Sequence, residues 1–127
     1  MSTATTNGIE ITVSPEYLSE DSDPSKRFWL YVYHVQIVNH SNQRVQLLNR
    51  HWVITNGLGE VQEVRGLGVV GQQPSLEPQE SFEYTSGCPL DTSVGSMHGS
   101  YTFADQEGNL FEAEIAPFLL EDPTHSN

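Results

Sequence analysis

The segment from Phe28 to Val38 has the sequence FWLYVYHVQIV. Aromatic and β-branched residues occupy most of its positions, and these residue types favour extended backbone. In its second half Tyr33, Val35 and Ile37 alternate with polar residues, which places the three apolar side chains on one face of a strand. We therefore predict a central β-strand over residues 28–38.

The same two-residue alternation recurs on both sides of this strand. It predicts further strands over residues 9–13, 45–55, 60–65, 81–85, 99–103 and 110–115. In the third strand the pattern assigns Leu48, Trp52 and Ile54 to one face, and Asn56-Gly57 after it is typical of a tight two-residue turn. Pro15 is predicted to end the first strand, and residues 66–78 to form mostly loop.

No window of a dozen residues has the period of an amphipathic helix, and short strands with frequent turns favour a sandwich. We predict an all-β fold, an immunoglobulin- or fibronectin-III-like β-sandwich of about seven or eight antiparallel strands. The 127 residues, 36% of them apolar, suit a single domain over 1–127. Its ordered core is expected at about 8–120, with flexible tails at about 1–6 and 121–127.

Acidic residues outnumber basic ones by 17 to 5, which gives a formal net charge of −12. Such a surface repels phosphodiester backbones and anionic lipids, so binding to nucleic acid or membrane is disfavoured. The polar N-terminus lacks the features of a signal peptide, and no apolar run approaches the ~20 residues that span a bilayer. The single cysteine, Cys88, suits a reducing compartment. We predict a soluble, cytoplasmic protein.

Residues Gly66 to Gly71, with the sequence GLGVVG, match the pattern G-x-G-x-x-G. The pattern binds dinucleotides only between a strand and a helix, and Gln72-Gln73-Pro74 follows instead, so that interpretation fails. Two interpretations stay open. The backbone amides of Gly66, Gly68 and Gly71 bind a phosphate group, assisted by Arg50 and Arg65, or the glycines serve bends and the arginines pair with surface carboxylates.

Neither the histidines nor the carboxylates show the spacing of a metal site. His34, His40, His51, His98 and His125 form no H-x-x-x-H element, although spatial convergence of His51 with His98 stays open. No nucleophile has an identifiable base. We predict no catalytic residues, no resident metal and no cofactor.

Five blocks from Arg50 onward resemble the ApaG family. They are Arg50-His51-Trp52, residues 64–74, residues 82–87, Gly95–Tyr101 with the pattern G-x-M-x-G-x-Y, and residues 108–119 with Pro117-Phe118. The resemblance covers about residues 8–120. It departs from the family at Gln79, where glycine is frequent, and at Ser93, where proline is frequent; both are turn positions.

The resemblance implies a fibronectin-III-like sandwich and an association with cobalt resistance and magnesium efflux. Similar domains in eukaryotic F-box proteins and in a DNA-polymerase-interacting protein imply a role in protein–protein binding. We therefore predict a non-enzymatic binding or regulatory domain with an unidentified protein partner. The alternative is binding of pyrophosphate or a dinucleoside polyphosphate at the glycine loop, and a divalent-cation sensor is a third hypothesis. Exposed edge strands leave a homodimer open.

Overall fold

Two antiparallel sheets packed face to face form the structure, a computed structural model that describes residues 1–123. The predicted all-β sandwich is confirmed. The strands are β1 (Ser2–Thr6), β2 (Ile9–Tyr17), β3 (Trp29–Asn39), β4 (Val45–Asn56), β5 (Val61–Leu67), β6 (Ser75–Leu76), β7 (Ser81–Leu90), β8 (Val94–Ala104) and β9 (Leu110–Glu121). The first sheet has the order β1-β2-β3-β7 and the second β5-β4-β8-β9, with β6 paired to the start of β4.

The predicted central strand is β3, which lies between β2 and β7. Its side chains alternate as predicted, with Tyr31, Tyr33, Val35 and Ile37 buried between the sheets. Burial of each such side chain stabilises the fold by roughly 1.5–3 kcal/mol. Residues 29–39 therefore supply one wall of the core.

A β-bulge in β4 overturns the predicted facing of Leu48. The pairing of β4 with β8 shifts register between Leu47 and Asn49, so Leu48 is an extra residue. Leu47 is consequently the buried leucine, and Leu48 is only half-buried. Beyond the bulge Arg50 lies opposite the buried Tyr101, and this register turns the arginine toward the inside of the sandwich.

The two ends of the chain are more regular than the sequence indicates. Where a flexible tail was expected, β1 pairs with β2 from Ser2 opposite Val13 to Thr6 opposite Ile9. β2 continues past Pro15 to Tyr17, because β1 ends its pairing at Val13 and a proline beyond it interrupts no ladder on that side. β9 runs to Glu121, and residues 124–127 of the predicted C-terminal tail lie outside the described residues.

The segment predicted as a loop over residues 66–78 is partly strand. Gly66 and Leu67 end β5, and Ser75–Leu76 forms the short β6. Together with β1, these assignments give nine strands over residues 1–123, against the predicted seven or eight. The Asn56-Gly57 hairpin exists, but its loop is longer than two residues, since Thr55 pairs with Val61.

The sandwich is closed on one side and open on the other. β9 packs against β1 and β2 at the closed side. At the opposite side β7 is the last strand of the first sheet and β5 the last strand of the second. We call the gap between these two edge strands the β5/β7 seam. Within residues 1–123 no helix has the length and apolar character needed to cross a membrane.

Candidate functional site

Three cavities follow one another along the β5/β7 seam. The upper cavity, of about 240 Å³, is lined by Arg50, Gly71 and Tyr84 among others. The middle cavity, of about 260 Å³, is lined mainly by apolar side chains such as Trp52 and Val64. The lower cavity, of about 410 Å³, lies at the far end of the seam beside Phe28, Val61 and Leu90. The seam is the candidate site because inward-facing side chains of both sheets reach solvent there.

Arg50 connects the seam with the glycine motif. Its Nη1 donates hydrogen bonds to the carbonyl oxygens of Leu67 and Gly68, both at 2.9 Å. Its guanidinium lies against Gly66, where a Cβ atom would come within 2.8 Å of Nη2. Gly66 therefore leaves the space that the guanidinium fills. Among the described residues no carboxylate forms an ion pair with Arg50.

The rest of the glycine motif is a tight hairpin turn. Val69 and Gln72 exchange two backbone hydrogen bonds of 2.8 Å, and Val70 and Gly71 between them have positive φ angles of 43° and 78°. Positive φ at both central positions is typical of a type I′ turn. At Gly68 a Cβ atom would lie 2.2 Å from the carbonyl oxygen of Gln72, so only glycine fits.

Several amides of this turn are already bonded within the protein. Gly68 donates to the carbonyl of Leu48 at 2.8 Å, and Val69 and Gln72 donate to each other's carbonyls. The structural interpretation therefore accounts for Gly66 and Gly68 without a ligand. The predicted phosphate-binding role of the loop stays a prediction, and it now depends on Arg50, Val70 and Gly71.

Arg65 lines a separate cavity with Arg50 and Gly66, but its side chain lies away from the seam. It pairs with His51 on the outer face of the second sheet, and its side chain is 71% exposed. There His51 Nε2 and Arg65 Nη2 lie 2.7 and 3.4 Å from the same carboxylate oxygen of Glu63. The hydrogen bond from His51 and the nearby Arg65 charge lower the pKa of Glu63.

Residues 1–123 contain no cluster of metal-binding side chains that would support the metal hypothesis. His98 is exposed and lies opposite Val53, while His51 contacts Glu63 instead. No group of three or more histidine, cysteine or carboxylate side chains in this part of the chain is arranged to hold a metal ion. The prediction that the chain holds no resident metal stays a prediction.

Sequence reasoning missed the tyrosine cluster beside Arg50. The hydroxyls of Tyr84 and Tyr101 are hydrogen-bonded to each other, and Tyr33 lies nearby across the seam. Burial raises the pKa of all three phenols, so they are neutral hydrogen-bond donors near neutral pH. The only available signal was the alternation in β7, which turns Tyr84, Ser86 and Cys88 to the same face.

Stability is expected to fall at high pH, because buried tyrosine and cysteine side chains resist ionisation in the folded protein and ionise when it unfolds. Burial raises the pKa of Tyr31 from 10.0 to about 12 and that of Cys88 from 9.0 to about 11. A raised folded-state pKa stabilises fully below the unfolded value, and that contribution is lost as pH rises through the folded value. Urea midpoints should decline from about pH 9 and most steeply between pH 10 and about pH 12. Tyr31→Phe should make this decline less steep. A urea midpoint that stays constant to pH 12 would contradict the raised pKa values.

The chain is similar to known proteins over nearly its whole length. The ApaG domain family matches residues 19–105. The Protein ApaG of Methylorubrum populi is 53% identical over 120 residues, which cover 94% of this chain and 92% of that protein. The Protein ApaG of Bordetella pertussis is 51% identical over 115 residues, which cover 91% and 88%.

A solved structure agrees with these sequence relatives. The crystal structure of the Bordetella pertussis protein designated ApaA superposes with a TM-score of 0.89 at 51% identity, covering 91% of this chain and 94% of that one. The resemblance noted from the five sequence blocks is thereby confirmed. The chain belongs to the ApaG family.

Proposed function

We propose that the domain is a non-catalytic binding module that takes up a segment of a partner protein along the β5/β7 seam. The observation that carries this proposal is the open edge of β5, where the exposed Val61 lines the lower cavity. Val61 is 62% exposed and Leu67 is 76% exposed, at the two ends of an edge strand. Glu63 and Arg65 lie between them on the same face of β5, so the two apolar side chains flank the open edge at either end.

The backbone of the seam supports the same proposal. Among the strands of residues 1–123, β5 pairs with β4 alone and β7 with β3 alone, so each has one edge without a described neighbour. An edge strand presents N–H and C=O groups to which an extended segment can add as a further strand. A partner segment in extended conformation therefore fits the seam better than a helix. A homodimer that uses the same edges stays a prediction.

Charge indicates the chemistry of the partner. At the lower end of the seam the Asn56 amide holds Glu60 Oε1 at 2.6 Å and Asp91 Oδ1 at 3.0 Å, so two carboxylates converge there. Arg27 also lines this cavity, but the chain as a whole carries a net charge of −12. We expect a partner segment that combines basic residues with an apolar side chain beside Val61.

Val61→Lys should weaken partner binding by about tenfold or more, because it removes an apolar contact and places a positive charge where basic residues of the partner are expected. Leu110→Lys is the matched control: Leu110 is 65% exposed but lies at the start of β9, at the other end of the second sheet from Val61. The measurement is quantitative affinity capture with wild type and both variants in parallel. A partner lost with Val61→Lys and kept with Leu110→Lys supports the seam. Equal retention by both variants, or equal loss, contradicts it.

A second candidate function is the binding of pyrophosphate or a dinucleoside polyphosphate at Gly66–Gly71. The observation in its favour is the Arg50 charge beside a turn whose Gly71 has no atom within 4 Å of a Cβ position. Gly71→Ala is the milder test variant: its methyl group meets no clash and only the positive φ of 78° strains it, whereas any side chain at Gly68 would collide with the Gln72 carbonyl. Amide shifts of Val70 and Gly71 on titration, lost in Gly71→Ala, would support this function, and no response to either ligand would contradict it.

The link to cobalt and magnesium homeostasis also stays a prediction. A protein without a resident metal can still act in that process through a partner. Equilibrium dialysis with each cation tests direct binding. Uptake of either cation would favour the sensor hypothesis over the binding module.

A further inference from the structure

The upper and middle cavities of the β5/β7 seam meet at three shared residues. Tyr33, Arg50 and Ser86 line both cavities. Each of them carries hydrogen-bond donors, and Tyr33 lies directly opposite Ser86 in the pairing of β3 with β7. None of the described residues that line the two cavities carries a carboxylate. The junction is therefore a group of donors inside a strongly acidic protein.

Arg50 supplies the charge at this junction. Its two hydrogen bonds go to neutral carbonyl oxygens through Nη1, and within residues 1–123 Nε and Nη2 donate to no protein acceptor. The side chain is half-buried, where a charge acts more strongly than in water. A guanidinium that lacks a carboxylate in a chain with 17 acidic residues is available to an external anion.

The hydroxyls around Arg50 do not oppose an anion. The phenols of Tyr33 and Tyr84 keep their protons near neutral pH because burial raises the pKa of each. Protonated hydroxyls donate hydrogen bonds to a carboxylate or phosphate oxygen. Recognition of a negative charge is therefore centred on the junction and the upper cavity.

The middle cavity is suited to an apolar group. Apolar side chains form most of its wall: Trp52, Ile54, Val64, Cys88, Pro89 and Met97. Its volume of about 260 Å³ exceeds the roughly 150 Å³ that holds a benzene ring in an engineered cavity. Trp52 is 2% exposed, and its indole Nε1 has no hydrogen-bond partner among the described residues.

We propose that the seam binds a small monocarboxylate with an apolar body, its carboxylate at Arg50, Tyr33 and Ser86 and its body in the middle cavity. A monoanion suits the site better than pyrophosphate, because one arginine faces the junction and the whole chain repels multiply charged anions. This ligand site goes beyond the binding of a partner protein and does not depend on it.

The test is an NMR titration with benzoate and 4-phenylbutyrate, followed at the indole N–H resonances. The chain has two tryptophans, so Trp52 reports on the middle cavity and Trp29, which lines neither cavity, is an internal reference. We expect saturable shifts at Trp52 and none at Trp29. The corresponding neutral amides should bind at least about tenfold more weakly, because they lose the charge-assisted contact with Arg50.

Three variants distinguish an effect on the ligand site from an effect on the fold. Ser86→Ala should weaken carboxylate binding by about fivefold, the typical effect of one lost hydrogen bond, while leaving the backbone unchanged. Thr85→Ala, on the outward face of the same strand, should leave affinity unchanged. Arg50→Gln should abolish binding, but it also removes two hydrogen bonds to the turn, so Ser86→Ala keeps the test decisive if that variant unfolds.

Three results would overturn the proposal: equal affinity of acids and amides, shifts absent from Trp52, or Ser86→Ala binding as wild type does. Inorganic phosphate and pyrophosphate are titrated in a separate experiment. A response to pyrophosphate but not to the carboxylates would also overturn it, and would favour the glycine loop instead. Partner capture is measured independently, so failure here leaves the protein-binding proposal intact.

Discussion

Gly99→Ala is expected to destabilise the domain by about 3 kcal/mol or more, because the new methyl group has no space. A Cβ atom at Gly99 would lie 2.0 Å from the carbonyl oxygen of His51 and 3.2 Å from the Cα atom of Trp52. Both atoms belong to the backbone of β4, the neighbour of β8 at the centre of the second sheet. Backbone atoms fixed by strand pairing cannot rotate away as a side chain can, so the two strands must separate.

Urea unfolding of wild type, Gly99→Ala and Gly87→Ala measures this effect. Gly87 is the matched control because it also lies in a strand, yet its Cβ atom would meet only ordinary contacts of 3.8 and 3.9 Å. Gly87→Ala should change the free energy of unfolding by no more than about 0.5 kcal/mol. Equal midpoints for the two variants would show that β4 and β8 tolerate a wider spacing than the structure has.

Trp52→Ala is expected to cost about 4 kcal/mol, the typical loss for a large aromatic side chain removed from a core. The indole of Trp52 joins the sheets, with ring centroids 5.1 Å from Tyr33 in the first sheet and 6.2 Å from Tyr101 and 6.0 Å from Phe118 in the second. Its removal leaves a void beside the middle cavity, and three aromatic rings lose an edge contact.

Trp52→Phe separates packing from polarity in the same experiment. It keeps an aromatic ring in the cluster and removes the buried Nε1–H, which has no partner in the described residues. The loss of buried apolar area destabilises the fold, whereas removal of the unpartnered buried donor stabilises it. We therefore expect Trp52→Phe to cost less than half of the unfolding free energy that Trp52→Ala costs. A Trp52→Ala variant that loses under about 1.5 kcal/mol would mean that the surrounding side chains collapse into the void.

Strand alternation predicted the fold well wherever a strand is regular. In β3 the buried faces of Tyr33, Val35 and Ile37 follow from the sequence pattern alone. The bulge at Leu48 does not, because an extra residue is defined only by the pairing of β4 with β8. The backbone conformation of Val70 could not be predicted either. A β-branched residue disfavours a φ of 43°, and the surrounding turn holds it there.

The structure places the two arginines of the phosphate hypothesis on different faces, and the cause is identifiable. Arg50 does lie against Gly66 and the turn, as the phosphate hypothesis required. Arg65 lies on the opposite face because Thr55 pairs with Val61 and not with Leu58, which a two-residue turn would have given. That register differs by an odd number of residues, and an odd shift exchanges the faces of a strand.

The tyrosines and Ser86 could not have been assigned from the sequence. Tyr33 and Ser86 lie opposite each other in the pairing of β3 with β7, and the packing of the second sheet on the first brings Arg50 to them. No spacing along the chain encodes that contact. Which side chains at an open edge lie close enough to form a site can be stated only after the order of the strands in each sheet is known.

The position of β1 bears on how the protein should be immobilised. β1 is held to β2 along its length, and the Glu114 amide on β9 donates to Thr6 Oγ1 at 3.1 Å, so the N-terminal strand lies on the closed side. A biosensor chip coupled through the N-terminal amine therefore contacts the closed side and leaves the cavity mouths facing the analyte stream. Amine coupling through Lys26, the one lysine of the chain, would instead tether the molecule beside Arg27, at the rim of the lower cavity.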